Sequence, residues 1–261
     1  MPLLALMAAV LLLSALSIPS LANPAVQEQV LENLQYRVNA LVWPGAARAG
    51  IVLKSLGRGR YRAELEVEPL GLLKTISGQR RDNFYTEMVF RNGRLTPLVY
   101  REETRRRGKY GLKEYRFDYE KGRLELWQHH KGKGLLRKWE TALTKDPIYD
   151  PLSAFYNLRL GALGKPQEGE TIRVKGIPYP QPEEIVIRIG QTEKERQKVM
   201  VGLINRIFEN GQGEIFIHLD RKWVPLHAWS RVIYFGKVAG EILPESKPLT
   251  SPLPEMVSSL K

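Results

Sequence analysis

The sequence predicts a mainly β protein, in which a curved antiparallel sheet or half-open β-barrel carries one short helix, about residues 150–160, packed against it. Three observations lead to this prediction. Apolar and polar residues alternate along most of the chain, glycine-containing turns separate the alternating segments, and one short segment has helical spacing. Alternation with a period of two is typical of strands that bury one face and expose the other.

The alternation is clearest between residues 34 and 140. Tyr61, Ala63 and Leu65, for example, alternate with charged residues. Asn92-Gly93 stands between two such segments, and an Asn-Gly pair in that setting is a strong hairpin signal. We therefore expect a meander of long antiparallel strands, and the same pattern resumes after residue 170.

The segment DPLSAFYNLR, residues 150–159, breaks the alternation. Asp150 can accept hydrogen bonds from the free amides of a first helical turn, and Pro151 suits the first helical position. Side chains then recur at helical spacing: Leu152, Phe155, Tyr156 and Arg159. Ser153 lacks the G-x-S-x-G setting of a serine nucleophile. The segment is best interpreted as the lid or plug of a curved sheet.

The first 22 residues have the pattern of a secretory signal peptide. An apolar stretch is broken by Pro19, and the small residues Ser20 and Ala22 form a cleavage site. Cleavage would leave a single β-rich domain over residues 23–245, followed by a flexible Pro/Ser-rich tail over residues 246–261. We expect a periplasmic protein with no transmembrane span once the signal is removed. The alternative is that this segment stays attached as an uncleaved anchor.

Charge and cysteine content restrict the possible functions. The chain has a formal net charge of +12 and no cysteine. The lack of cysteine excludes disulfides, thiolate nucleophiles and cysteine-based metal sites. A basic surface attracts lipid headgroups, acidic polysaccharide or nucleic acid, and the expected compartment argues against nucleic acid.

Basic and aromatic side chains interleave in two predicted hairpins between residues 99 and 139. Arginine combined with aromatic rings can hold phosphates or sugar acids. Alternatively, these charges only cover the solvent face of long hairpins and protect their edges from aggregation. On the first interpretation the ligand-binding candidates are Arg101, Arg105, Arg106, Arg107, Lys109, Tyr110, Tyr115 and Trp127. Phe155 and Tyr156 of the helix would lie at an apolar opening, or alternatively belong to the core.

No pattern in the sequence predicts catalysis. The adjacent His129 and His130 point to opposite faces of a strand, whereas His218 and His227 lie on neighbouring strands and could face each other. Zinc needs three or four converging ligands. Carboxylate pairs such as Glu102-Glu103 do not reveal a shared cleft. We expect no metal, no cofactor and no catalytic residue.

The order of these features resembles a bacterial envelope family called domain of unknown function 3108. The similar segments include YRVNALVWPGAARAG, the helix DPLSAFYNLR and the closing GEIFIHLDRKWVPLHAWSRVIYFGKVAGEIL, and together they extend over about residues 34–243. The resemblance implies a secreted, β-rich single domain with a strongly curved sheet, like periplasmic lipoprotein carriers. It implies no established activity.

These observations lead to a ranked set of functional hypotheses. The first is a non-enzymatic envelope protein that binds an anionic amphiphile or glycolipid, with apolar sheet positions on the acyl chains and the basic hairpins on the headgroup. The second is a scaffold or interaction protein in envelope assembly, which contacts a protein partner through strand edges and the basic hairpin. A periplasmic hydrolase is the third.

Overall fold

A computed structural model describes residues 28–41, 43–144, 146–164, 166–177, 184–193, 196–204, 212–232 and 236–251. The predicted signal peptide therefore lies outside the described residues. The strands are β1 (Gln29–Ala40), β2 (Trp43–Gly57), β3 (Arg60–Pro69), β4 (Arg81–Arg91), β5 (Arg94–Arg106), β6 (Lys109–Asp118), β7 (Arg123–His130), β8 (Gly134–Ala142), β9 (Ile148–Tyr149), β10 (Thr171–Gly176), β11 (Glu184–Glu193), β12 (Arg196–Ile204), β13 (Gln212–Leu219), β14 (Pro225–Val232) and β15 (Gly236–Ile242). The helices are α1 (Gly71–Ile76) and α2 (Pro151–Leu160).

All fifteen strands form one open sheet with the order β8-β7-β6-β5-β4-β3-β2-β1-β15-β14-β13-β12-β11-β10-β9. Neighbouring strands are antiparallel, except that the two-residue β9 pairs in parallel with β10. The sheet's edges, β8 and β9, are consecutive in the chain, so a short connection joins the two ends of the sheet. The predicted mainly β fold class is confirmed, and the sheet is open rather than closed into a barrel.

The alternation in the sequence accounts for the two faces of the sheet. In β3, Tyr61 and Ala63 are buried on the inner face, whereas Arg62 points outward and binds Glu87 of β4 at 2.9 Å. At the β4–β5 turn, Asn92 and Gly93 have φ angles of 52° and 75°. These left-handed conformations match the hairpin turn that the Asn-Gly pair predicts.

Helix α2 lies on the inner face and joins two parts of the core. On one side, Leu152 and Tyr156 pack with Leu53, Met88 and neighbouring residues of β2–β5. On the other side, Ala154 and Leu158 belong to a cluster with the isoleucines of β10 and β11. The helix therefore covers apolar surface from two separate parts of the sheet. The predicted helix over residues 150–160 is thus confirmed.

Three features differ from the sequence-based expectation. Strand β1 begins at Gln29, five residues before the clear alternation starts at residue 34. Helix α1 was not predicted, and none of its residues is buried. The predicted tail is not free at its start, because Lys247 pairs with Asn33 and Leu249 is buried against the core. No helix within the described ranges is both long and apolar enough to cross a membrane.

Candidate functional site

A partly enclosed cavity of about 160 Å³ lies between α2 and strands β11–β13. Its wall is almost entirely apolar, and the polar exception among the described lining residues is Arg159. The lining consists of Pro151, Ala154, Phe155, Leu158, Arg159, Ile185, Ile187, Val199, Val201, Ile215, Ile217, Leu219 and Trp223. A space with these walls excludes water in favour of apolar groups.

Arg159 forms an ion pair inside the protein with Glu32 of β1. Its Nη1 and Nη2 atoms donate to the two carboxylate oxygens of Glu32 at 2.6 and 2.9 Å. The exposed fractions of the two side chains are 3% and 0%, so the pair is shielded from water. Tyr156 adds a hydrogen bond from its hydroxyl to Glu32 at 3.0 Å.

Burial and charge act in opposite directions on this cluster. Burial by itself lowers the pKa of the Arg159 guanidinium, but its hydrogen bonds and attraction to Glu32 raise the pKa above its usual value. Burial raises the pKa of the Tyr156 hydroxyl well above its usual value. The guanidinium is therefore charged and the phenol neutral at physiological pH. The Nε–H group of Arg159 is buried and has no hydrogen-bond partner within the described structure.

The polar side chains of Asp150 and Asn157 also hold α2 in place. Asp150 caps the helix by accepting hydrogen bonds from the amides of Leu152 and Ser153 at 2.9 and 3.0 Å. Asn157 accepts a hydrogen bond from the Leu95 amide at 2.9 Å and donates one to its carbonyl oxygen at 2.7 Å. The predicted capping role of Asp150 is confirmed, and Ser153 completes a capping box rather than facing a base.

The carboxyl group of Asp150 should make stability depend on pH. Burial raises its pKa, although its hydrogen bonds with Ser153, Thr86 and Leu152 lower it. Because the folded state holds this proton more tightly than the unfolded state, stability should fall as pH rises from the ordinary aspartate range through the raised pKa. The variant Asp150→Asn keeps a hydrogen-bond acceptor but does not titrate. It should therefore not show the loss of stability that comes from Asp150. Chemical denaturation between pH 4 and 7 measures the difference, and a wild-type protein that gains stability over this window relative to the variant would contradict the assignment.

The predicted basic hairpin lies on β5 and β6, and much of its charge is neutralised locally. Arg101 binds Glu114 on the adjacent strand, and Arg105 binds Glu103 at 2.6 Å. These contacts leave little free positive charge at either arginine. For these two residues the structure favours the alternative of a solvent-facing coat.

The other candidates fall into exposed and buried groups. Arg106, Arg107, Lys109 and Tyr110 are exposed at the hairpin tip. Tyr115 and Tyr156 are 1% and 0% exposed and belong to the core, so neither can contact a ligand at the surface. Trp127 is half-buried on the outer face and donates a hydrogen bond to Glu125 at 2.9 Å. Phe155 lines the cavity, and none of the other nine candidates belongs to its described lining.

The histidines do not converge with other metal ligands. His218 and His227 are directly paired across β13 and β14, with ring centroids 5.9 Å apart. Burial lowers the pKa of His227, and nearby Glu241 raises it in part. No group of three or more potential metal-binding side chains occurs within the ranges that the structure describes. The absence of a catalytic residue, a metal and a cofactor stays a prediction.

Sequence reasoning missed Glu32 and the interior role of Arg159. One signal was available, because Arg159 follows Leu152, Phe155 and Tyr156 on the packed face of the helix, where an unpaired charge is unfavourable. A buried arginine at such a position requires an acidic partner. The sequence offers no means of identifying Glu32 as that partner, since 127 residues separate them.

The chain belongs to the family described as "Protein of unknown function (DUF3108)", whose model matches residues 35–203. A solved structure with a similar fold is the β-barrel-like protein of domain of unknown function DUF1849 from Brucella abortus, which is 11% identical. The match covers 82% of this chain and 96% of the other, with a TM-score of 0.50. At this identity the likeness shows the fold alone. A comparison with curated proteins finds no match.

Proposed function

We propose that this protein is a non-enzymatic protein of the bacterial periplasm that binds the apolar chain of an anionic amphiphile or glycolipid in the cavity beneath α2. The observation that supports this proposal is the almost entirely apolar wall of a partly enclosed cavity. An acyl chain needs only apolar contacts along most of its length. The charge of Arg159 on this wall is neutralised by its ion pair with Glu32, so the polar end of the ligand would lie outside the cavity.

The size of the cavity limits what it can hold. An engineered apolar cavity of about 150 Å³ accommodates one benzene molecule, or roughly six carbon atoms. The cavity of about 160 Å³ therefore suits the end of an acyl chain rather than a whole lipid. The remainder of the ligand would extend through the open side of this partly enclosed cavity.

Filling the cavity should weaken binding without disturbing the fold. Ala154→Leu adds three carbon atoms to the wall, and Ala162→Leu adds the same atoms just beyond α2, outside the described lining. We expect dodecyl phosphate, an anionic amphiphile whose chain end is free, to bind the wild type and Ala162→Leu equally, and Ala154→Leu at least tenfold more weakly. Isothermal titration calorimetry below the critical micelle concentration measures the affinities, and thermal unfolding checks that each variant is folded. Equal affinities in all three folded proteins would contradict the proposed site.

A second candidate function, an interaction protein, is supported by the free edge of β8. This strand pairs with β7, and most of its residues are exposed. An exposed strand edge can accept a strand from a partner. However, Arg137 and Lys138 lie on this strand, and basic residues at an edge oppose nonspecific pairing.

A further inference from the structure

Four alternate strand connections lie side by side at the same end of the sheet. Register pairs place the β1–β2, β3–β4, β5–β6 and β7–β8 connections there, because these connections alternate with turns at the opposite end. Helix α1 forms part of the β3–β4 connection. We call this part of the molecule the α1 end. The amide of Arg107 donates to the carbonyl oxygen of Gly78 at 2.8 Å, so the hairpin tip and the α1 turn are held together.

The α1 end carries a concentration of exposed large apolar side chains. Leu72 and Ile76, one turn apart on α1, are 64% and 62% exposed. Others lie in or within about two residues of the neighbouring turns: Leu41, Trp43, Tyr110 and Leu136. Among the described residues, the remaining exposed large apolar side chain is Val30, near the opposite end. Single exposed apolar residues are ordinary, but their grouping on adjacent turns indicates a contact surface.

The same end carries cations that are not neutralised. Arg106, Arg107 and Lys109 of one tip, and Lys131 and Lys133 of the next, are exposed and form no ion pair with any residue that the structure describes. The nearby carboxylates already form ion pairs with other basic side chains. Glu68 binds Lys74 and Arg81, Asp82 binds Arg80, and Glu103 binds Arg105. The α1 end therefore presents net positive charge around its apolar side chains.

We propose that the α1 end docks onto the surface of an anionic lipid bilayer. Leu72 and Ile76 enter the interfacial region, and the cations of the two hairpin tips contact the headgroup phosphates. Apolar side chains surrounded by lysine and arginine are the combination that binds anionic membrane surfaces. A bilayer requires only that separate tips reach one plane, whereas a protein partner requires a continuous complementary surface. This proposal does not rest on ligand binding in the cavity.

Vesicle binding tests the contribution of the charges. We expect the protein to co-sediment with vesicles of phosphatidylcholine containing 30% phosphatidylglycerol, and at least tenfold less with phosphatidylcholine alone. Arg106→Gln/Arg107→Gln/Lys109→Gln should weaken binding roughly tenfold or more. The control Arg58→Gln/Lys121→Gln/Lys222→Gln removes three cations from turns at the opposite end, and binding should change less than twofold. All proteins share one N-terminus, so residues 1–22 contribute equally. Equal losses in the two triple variants would overturn the proposal.

A fluorescent label tests insertion directly. The chain contains no cysteine, so Leu72→Cys and Val30→Cys each provide one labelling site for the dye NBD. With anionic vesicles, the emission of the label at position 72 should shift to shorter wavelength and increase, and the label at position 30 should not respond. No response at position 72, or an equal response at position 30, would overturn membrane docking by the α1 end.

Discussion

Replacing Arg159 by methionine is expected to lower the free energy of unfolding by about 3–5 kcal/mol, because the substitution leaves a buried carboxylate without its partner. Glu32 is fully buried and is bound by both terminal nitrogens of Arg159. Its remaining donors, the Tyr156 hydroxyl and the Leu249 amide, carry no charge. Urea denaturation of the wild type and the variant measures the loss.

Two further variants separate the buried charge from the loss of packing. Adding Glu32→Gln to Arg159→Met removes the unpaired charge and should restore part of the stability. Arg173→Met breaks the exposed pair with Glu184, in which the two side chains are 58% and 50% exposed, and should lower stability by less than about 1 kcal/mol. If Arg159→Met lowered the free energy of unfolding no more than Arg173→Met, Glu32 and Arg159 would not form a buried pair in solution.

Asn157→Ala is expected to destabilise the protein by about 2–5 kcal/mol, because two buried backbone groups lose their partner. The amide and the carbonyl oxygen of Leu95 both bind the Asn157 side chain, and Leu95 is fully buried. The side-chain Nδ2 of Asn157 also donates to the Ser153 carbonyl oxygen at 2.8 Å. The substitution therefore loosens α2 from β5 and disturbs the wall of the cavity.

The matched control for Asn157 is Asn39→Ala. Asn39 is half-buried and accepts one hydrogen bond, from the Gly45 amide at 2.7 Å. Its removal should lower the free energy of unfolding by less than about 1.5 kcal/mol, measured in the same denaturation experiment. If the two alanine variants lost similar amounts of stability, the Asn157 side chain would not form both hydrogen bonds with the backbone of Leu95.

The sequence supports prediction of the sheet and of α2 because their signals are local. Alternation identifies which face of β3 is buried, and Asp150 and Pro151 identify the start of the helix from neighbouring residues alone. Helix α1 was missed because its six residues contain no capping side chain and bury none of their apolar groups. The ion pair of Arg159 with Glu32 depends on the fold bringing β1 within side-chain reach of α2, which is a tertiary arrangement. The cavity depends on the distance between α2 and strands β11–β13, which cannot be predicted from local sequence patterns.

Native mass spectrometry of the intact protein, purified from the periplasm of an expressing bacterium, tests most directly whether the cavity holds an acyl chain. We expect the wild type and Ala162→Leu to carry a noncovalent mass that dissociates as an amphiphile on gentle activation. Ala154→Leu should be recovered folded and without it. A folded wild-type protein that shows only the mass of its own chain, after purification without detergent, would contradict the account.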